Sequence, residues 1–204
     1  MNMIVILLIG YLIGCISPAA LLAKIKNVDL KQEGTKNLGA TNTALVLGRG
    51  SGLFVMLVDI LKSILSAKLS QMLFPQISCA GMVACIGCIL GHCFPVFLHF
   101  RGGKGLAAFG GMVLAYNPWF FVMILIPGVV LMVILNTGVA VPMLACVMFP
   151  ILVAMYGNGI AESIMALIAS GIIIIMHQEN LKLALKRRDV VSVRNFFGKM
   201  FLKK

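Results

Sequence analysis

The 204-residue chain is 61% apolar and only 11% charged, with a formal net charge of +11. A soluble domain carries roughly 45–50% apolar and about 25% charged residues, so this composition excludes a water-soluble globular fold. Lipid must solvate these side chains, while helices satisfy their own backbone groups.

The first apolar run, residues 3–23, resembles a signal peptide. No basic stretch precedes it, however, and its small residues Ser17, Ala19 and Ala20 are not followed by a soluble protein. It is read as the first spanning helix. The second run covers residues 53–74 and stops at Pro75, and the third covers 77–97, ending near Pro95. A shorter run, 106–116, stops at Asn117-Pro118. Runs at 119–135, 139–156 and 160–176 follow, separated by the turn signals Asn136-Thr137-Gly138 and Gly157-Asn158-Gly159. A spanning helix needs about 20 apolar residues. The expected fold is therefore an all-α polytopic membrane protein, a seven-helix transmembrane bundle forming one domain over residues 1–204. Its fourth helix is short, and a basic tail begins near residue 182.

Charge assigns the sides. Lys24, Lys26, Lys31, Lys36 and Arg49 fall between the first and second helices, and Arg101 and Lys104 between the third and fourth. Residues 182–204 hold eight more basic side chains. Short loops rich in Lys and Arg stay in the cytoplasm. Seven spans put all three basic segments there and the N-terminus outside. The tail, with Lys186-Arg187-Arg188 and Lys203-Lys204, suits topology and contact with anionic lipids. Nucleic acid is not an expected partner.

Six cysteines lie in apolar stretches. Cys85 and Cys88 form a CxxC, but it sits mid-helix with no acidic ligand nearby, so packing explains it. No metal ligand set is visible.

Three polar clusters remain, one per basic segment. The first runs from Glu33 to Asn42 and mixes glycines, hydroxyls, amides and a lysine. It reads either as a solvated loop capping a helix or as an anion site built on backbone N–H groups. The second joins Gly91-His92-Cys93-Phe94-Pro95 to Phe100-Arg101-Gly102-Gly103-Lys104-Gly105. It has the parts of an anion cradle, a guanidinium fork, a point charge and flexible backbone donors. The alternative is a loop that only sets topology. The third is His177-Gln178-Glu179-Asn180, whose His177 and Asn180 share a helix face where the last helix leaves the bilayer. Asp59 and Lys62, three apart inside the second helix, are expected to pair as a structural clamp.

Together these segments resemble the PlsY family of membrane acyl-phosphate:glycerol-3-phosphate acyltransferases. The resemblance spans nearly the whole chain. It begins at Gly10-Tyr11-Leu12-Ile13-Gly14 and Leu22-Ala23-Lys24 and runs through Asn37-Leu38-Gly39-Ala40-Thr41-Asn42 and Asp59-x-x-Lys62. Its most specific block is Gly91-His92-x-Phe94-Pro95-Val96-Phe97 through Gly105, and His177-x-x-Asn180 closes it. The resemblance implies a seven-helix bundle in a bacterial plasma membrane with its active site open to the cytosol. It implies acyl phosphate and glycerol 3-phosphate as substrates, lysophosphatidate as product and no cofactor. Lys104, His177, Asn180 and Thr35 are the candidate catalytic residues; Asn37, Thr41, Asn42, Arg101, Gly102 and Gly103 are the candidate substrate- and phosphate-binding ones. In this scheme Lys104, Arg101 and the Gly102–Gly103 amides hold phosphate groups, while Thr35 and Asn37 orient the glycerol phosphate. The proton goes either to His177 as general base or to a substrate phosphate, which leaves His177 and Asn180 as binding groups.

The chain departs from the family pattern in places. Gly34-Thr35-Lys36-Asn37 stands where Gly-Ser-Gly-Asn is usual, and Leu45 replaces an arginine of the phosphate pocket. Lys36 and Arg49 are the candidates to supply the missing cation. Ala108 replaces a threonine, Leu183 and Arg187 replace an arginine and a glycine, and Asp189 replaces a glutamate. Two other classes stay open, a small anion transporter and a catalytically weakened relative that binds lipid or regulates a partner. Against transport, the spans show no detectable halves or repeat.

Overall fold

A computed structural model describes residues 1–157 and 159–186. Arg187, Asp189 and most of the basic tail therefore lie outside the described residues. The described chain is all helical: α1 Asn2–Gly14, α2 Pro18–Ile25, α3 Ala40–Leu47, α4 Arg49–Leu73, α5 Ala80–Cys93, α6 Leu106–Tyr116, α7 Pro118–Leu135, α8 Ala140–Tyr156 and α9 Ile160–Leu185. Four stretches, Asn2–Ile25, Ala80–Leu98, Pro118–Leu135 and Ile160–Leu185, are long and apolar enough to cross a bilayer. Large apolar side chains, among them Leu8, Leu61, Trp119, Ile126, Leu167 and Ile175, stand exposed on the outside of the bundle. Lipid suits such a surface and water does not.

The first run is not one helix. Pro18 pushes Ser17 into extended backbone, and the Ser17 side chain accepts from the Ala20 N–H at 3.2 Å. The chain therefore breaks between Gly14 and Pro18 and restarts as α2. The third run is also shorter than expected, since α5 ends at Cys93 and a single 3₁₀ turn, Val96–Leu98, follows Pro95. By contrast, α9 continues nine residues past the expected end, to Leu185. Hydropathy falls after Met176, but no Gly or Pro stops the helix there. Residues 40–47, read from the sequence as part of a loop, form α3, which Gly48 closes at φ +92°.

Backbone contact governs the centre of the bundle. Gly10 and Gly14 on α1 pack on the Ala84 and Cys88 backbone of α5, and Gly87 and Gly91 on α5 pack on the Leu7 and Tyr11 backbone of α1, two small-xxx-small pairs that let the helix backbones touch. A Cβ on Gly87 would sit 2.1 Å from the Leu7 carbonyl oxygen, and one on Gly91 2.1 Å from that of Tyr11. Gly87→Ala is expected to lower stability by about 1–3 kcal/mol through overpacking. Thermal unfolding in detergent checks this, and an unchanged midpoint would show that the helices can part freely. The larger core joins α5, α6, α8 and α9 around Phe109 and Phe149, whose rings meet edge to face at 5.6 Å. α7 packs on α6 and α8, and a cavity opens among these three helices.

Candidate active site

The loop before α3 is fixed from within. Asn42, wholly buried, donates from Nδ2 to the Leu30 carbonyl at 2.8 Å and accepts from the Thr35 N–H at 2.6 Å through Oδ1. Gly34, at φ +61°, passes so close that a Cβ would lie 2.3 Å from Asn42 Oδ1. Both ends of the Asn42 amide are thus used by the backbone. Asn42, expected as a substrate-binding residue, here shapes the loop and is not among the residues lining the cavity. The same bonds present Thr35, Lys36 and Asn37 to the cavity wall, where Gly39, Ala40 and Thr41 at the start of α3 join them. The first backbone bond of α3 runs from the Thr43 N–H to the Gly39 carbonyl at 3.0 Å. The N–H groups before it have no acceptor within the helix, and such a terminus favours anions.

The amides of the expected glycine cradle are engaged within the protein. The Gly102 N–H donates to the Cys93 carbonyl at 3.1 Å and the Gly103 N–H to the His92 carbonyl at 3.0 Å. These amides satisfy the end of α5. A Cβ would lie 2.0 Å from the His92 oxygen at Gly102 and 2.1 Å from His92 Nε2 at Gly103, so both glycines permit close docking on α5. Arg101 is exposed and, like these glycines, is absent from the cavity wall. The docked turn instead delivers Lys104, whose ammonium donates to Asn180 Oδ1 across 76 residues of chain. One helical turn before Asn180, the buried His177 is fixed through Nδ1, which donates to the Ile173 carbonyl at 2.9 Å. A carbonyl can only accept, so Nδ1 carries the hydrogen, and in the neutral ring Nε2 presents its lone pair.

Below lies the expected Asp59–Lys62 clamp, with a third member. Asp59 Oδ1 is 2.7 Å from Lys62 Nζ and 3.2 Å from His92 Nδ1. Lys62 also donates to the carbonyls of Gly14 at 3.1 Å and Ile16 at 2.9 Å, the oxygens freed where α1 breaks. An ammonium has three protons, and these three acceptors use them. His92 Nδ1, 3.0 Å from Lys62 Nζ, therefore donates to Asp59. The sequence alone did not show this link between the first helix break and the cavity floor, where Asp59 and His92 both appear.

The cavity measures about 490 Å³. Its polar end carries Thr35, Lys36, Asn37, Thr41, Lys104, His177 and Asn180. Its other end is apolar, between α6, α7 and α8, with Phe109, Val113, Phe121, Ile124, Leu125 and Ala145. Leu183 lines it too, whereas Leu45 and Arg49 do not. Among the described residues no group of three His, Cys, Asp or Glu could hold a metal ion. The arrangement suits an amphiphile with an anionic head at the lysines and a chain between the helices, beside a second small polar molecule.

A family model described as glycerol-3-phosphate acyltransferase matches residues 4–187. A glycerol-3-phosphate acyltransferase of Thermoanaerobacter sp. (strain X514) is 34% identical over 176 residues, covering 86% of this chain and 88% of that one. One of Geobacillus kaustophilus (strain HTA426) is 32% identical over 187 residues, covering 90% and 93%. Among solved structures, the glycerol 3-phosphate form of PlsY, an integral membrane glycerol 3-phosphate acyltransferase, superposes with a TM-score of 0.85 at 28% identity. The match covers 93% of this chain and 94% of that one. The lysophosphatidic acid form of PlsY gives 0.83 with the same identity and coverage.

Proposed function

Because the chain belongs to the PlsY family of membrane glycerol-3-phosphate acyltransferases, we propose that it moves an acyl group from acyl phosphate to the 1-hydroxyl of glycerol 3-phosphate in the cavity described above. One observation carries this reading. A single cavity joins a polar end holding Lys104, His177 and Asn180 to an apolar end between helices, so a lipid-soluble donor and a water-soluble acceptor can meet there. The acceptor hydroxyl oxygen bonds to the acyl carbon, and the bond from that carbon to the phosphate oxygen breaks. Inorganic phosphate leaves and takes the hydroxyl proton with it. Phosphate is a good leaving group, so the protein's main task is to place two anions together and offset their charge. Lys104, fixed by Asn180, holds the donor's phosphate, while Thr35, Asn37, Thr41 and the start of α3 receive the acceptor.

In this scheme His177 positions and does not abstract the proton. His177→Gln is expected to lower kcat by no more than about tenfold. A general base contributes about 10²–10⁴-fold, so a loss in that range would reassign the proton to His177.

The reading extends to topology. Counting α1 with α2 as one span and α4 to α9 as six more gives seven crossings of a bacterial plasma membrane, with the N-terminus outside. The cavity then faces the cytosol, beside the anionic inner leaflet that the basic segments favour. Residues 1–204 form a single domain in this picture. Gly50, exposed and with open space around its Cα, is a site for a probe. Gly50→Cys should react with an impermeant thiol reagent only from the cytosolic face, and labelling from the other face would reverse the orientation.

The activity itself is tested with purified protein in detergent, given palmitoyl phosphate and glycerol 3-phosphate. Lysophosphatidate is expected. No turnover would sink the enzyme reading, and anion flux in proteoliposomes without turnover would replace it with transport.

A further inference from the structure

We propose that Lys36 is the second cation of this site, holding the phosphate of glycerol 3-phosphate while Lys104 holds that of the acyl donor. The inference rests on the acyltransferase reading above and adds a residue that decides acceptor affinity.

Three observations carry it. First, Lys36 and Lys104 are the two Lys or Arg residues that line the cavity among the described residues. Each substrate phosphate brings about −1.5 to −2 charges near neutrality. Lys104 alone cannot offset two such groups, and the nearby Lys62 ammonium is already spent on Asp59 and two backbone carbonyls. Second, Lys36 sits at φ +55°, a left-handed conformation that a lysine adopts only under strain. Among the described residues, no hydrogen bond or ion pair uses its side chain to justify that strain. The backbone N–H closes the turn onto the Glu33 carbonyl at 2.9 Å, which a glycine would do as well. Third, the side chain is exposed, and no acidic group pairs with it among the described residues.

Its neighbours set which phosphate it serves. Thr35 and Asn37 flank it in the chain and line the same cavity with the start of α3, whereas Lys104 directly precedes α6, which carries the apolar lining. A small hydrophilic phosphate fits the first position and the head of an acyl chain fits the second.

The test compares Lys36→Gly, Lys36→Met and Lys36→Arg with the unaltered protein, in the palmitoyl phosphate and glycerol 3-phosphate assay. The Gly and Met variants are expected to raise KM for glycerol 3-phosphate by about tenfold or more, as loss of a charge-assisted contact does. Lys36→Arg should largely keep that KM, and KM for palmitoyl phosphate should stay within about twofold in all three. Lys36→Gly should unfold at a temperature no lower than the unaltered protein, because glycine relieves the strain. That separates lost binding from lost fold. An unchanged acceptor KM in both Gly and Met variants overturns the proposal, as does a rise confined to the acyl donor. If the unaltered protein gives no turnover, the acyltransferase reading falls separately. Thermal stabilisation by glycerol 3-phosphate, present in the unaltered protein and lost in Lys36→Met, still supports the Lys36 assignment, and equal stabilisation or none in both overturns it.

Discussion

Lys104→Ala is expected to lower kcat/KM by about 10²–10³-fold, the usual loss when one fixed charge donor is taken from developing negative charge. The protein should remain folded, because Lys104 is only half-buried. Asn180→Ala should cost less, about tenfold, since the ammonium stays and only its tether to the Asn180 oxygen is lost. The double variant should be no worse than Lys104→Ala alone, because residues acting as one unit do not add. Steady-state kinetics with both substrates measures all three. Full activity in Lys104→Ala would remove this site from the account while leaving the family assignment intact.

Asp59→Ala is the second large effect. The Asp59–Lys62 pair is buried, with side-chain exposures of 1% and 4%. Removing one member of such a pair typically costs about 3–5 kcal/mol, because an uncompensated charge stays behind. Here the stranded Lys62 also holds the broken end of α1 through the Gly14 and Ile16 carbonyls. Asp59→Ala should therefore lower the unfolding midpoint in detergent sharply. Asp59→Leu combined with Lys62→Met should recover part of that loss, because it leaves no charge unpaired. If Asp59→Ala is neutral, the clamp does not support the bundle.

Some of this was legible from sequence and some was not, for identifiable reasons. The limits of α6 were plain because Gly105 and Asn117-Pro118 punctuate both ends. The Asp59–Lys62 pairing followed from helical spacing alone. The break before Pro18 was signalled by Ser17-Pro18, but hydropathy averaged over it. α9 was cut short by the same measure, although helix continuation depends on breakers and not on polarity. Gly10, Gly14 and Gly91 were noticed as motif letters and Gly87 was not, while their shared use, letting two backbones touch, needs both helices in view.

At the site, residue types were more legible than their tasks. Lys104 and Asn180 were both nominated, but their contact joins distant segments and no local spacing predicts it. Gly102 and Gly103 look like an anion cradle in any sequence. Only the fold shows that the carbonyls of Cys93 and His92 already occupy their N–H groups. The task of Asn42 is hidden for a similar reason, since its amide serves Leu30 and Thr35 within the same segment. The question raised by Leu45 is narrowed: of the two nearby cations, Lys36 reaches the cavity wall and Arg49 does not.

The most direct measurement counts both products in one sample. Purified protein receives palmitoyl phosphate with and without glycerol 3-phosphate, and phosphate and lysophosphatidate are followed together. The account predicts equal amounts of the two, formed only when the acceptor is present. Phosphate released at the same rate without acceptor, or no lysophosphatidate with it, would contradict the claim that donor and acceptor meet in this cavity.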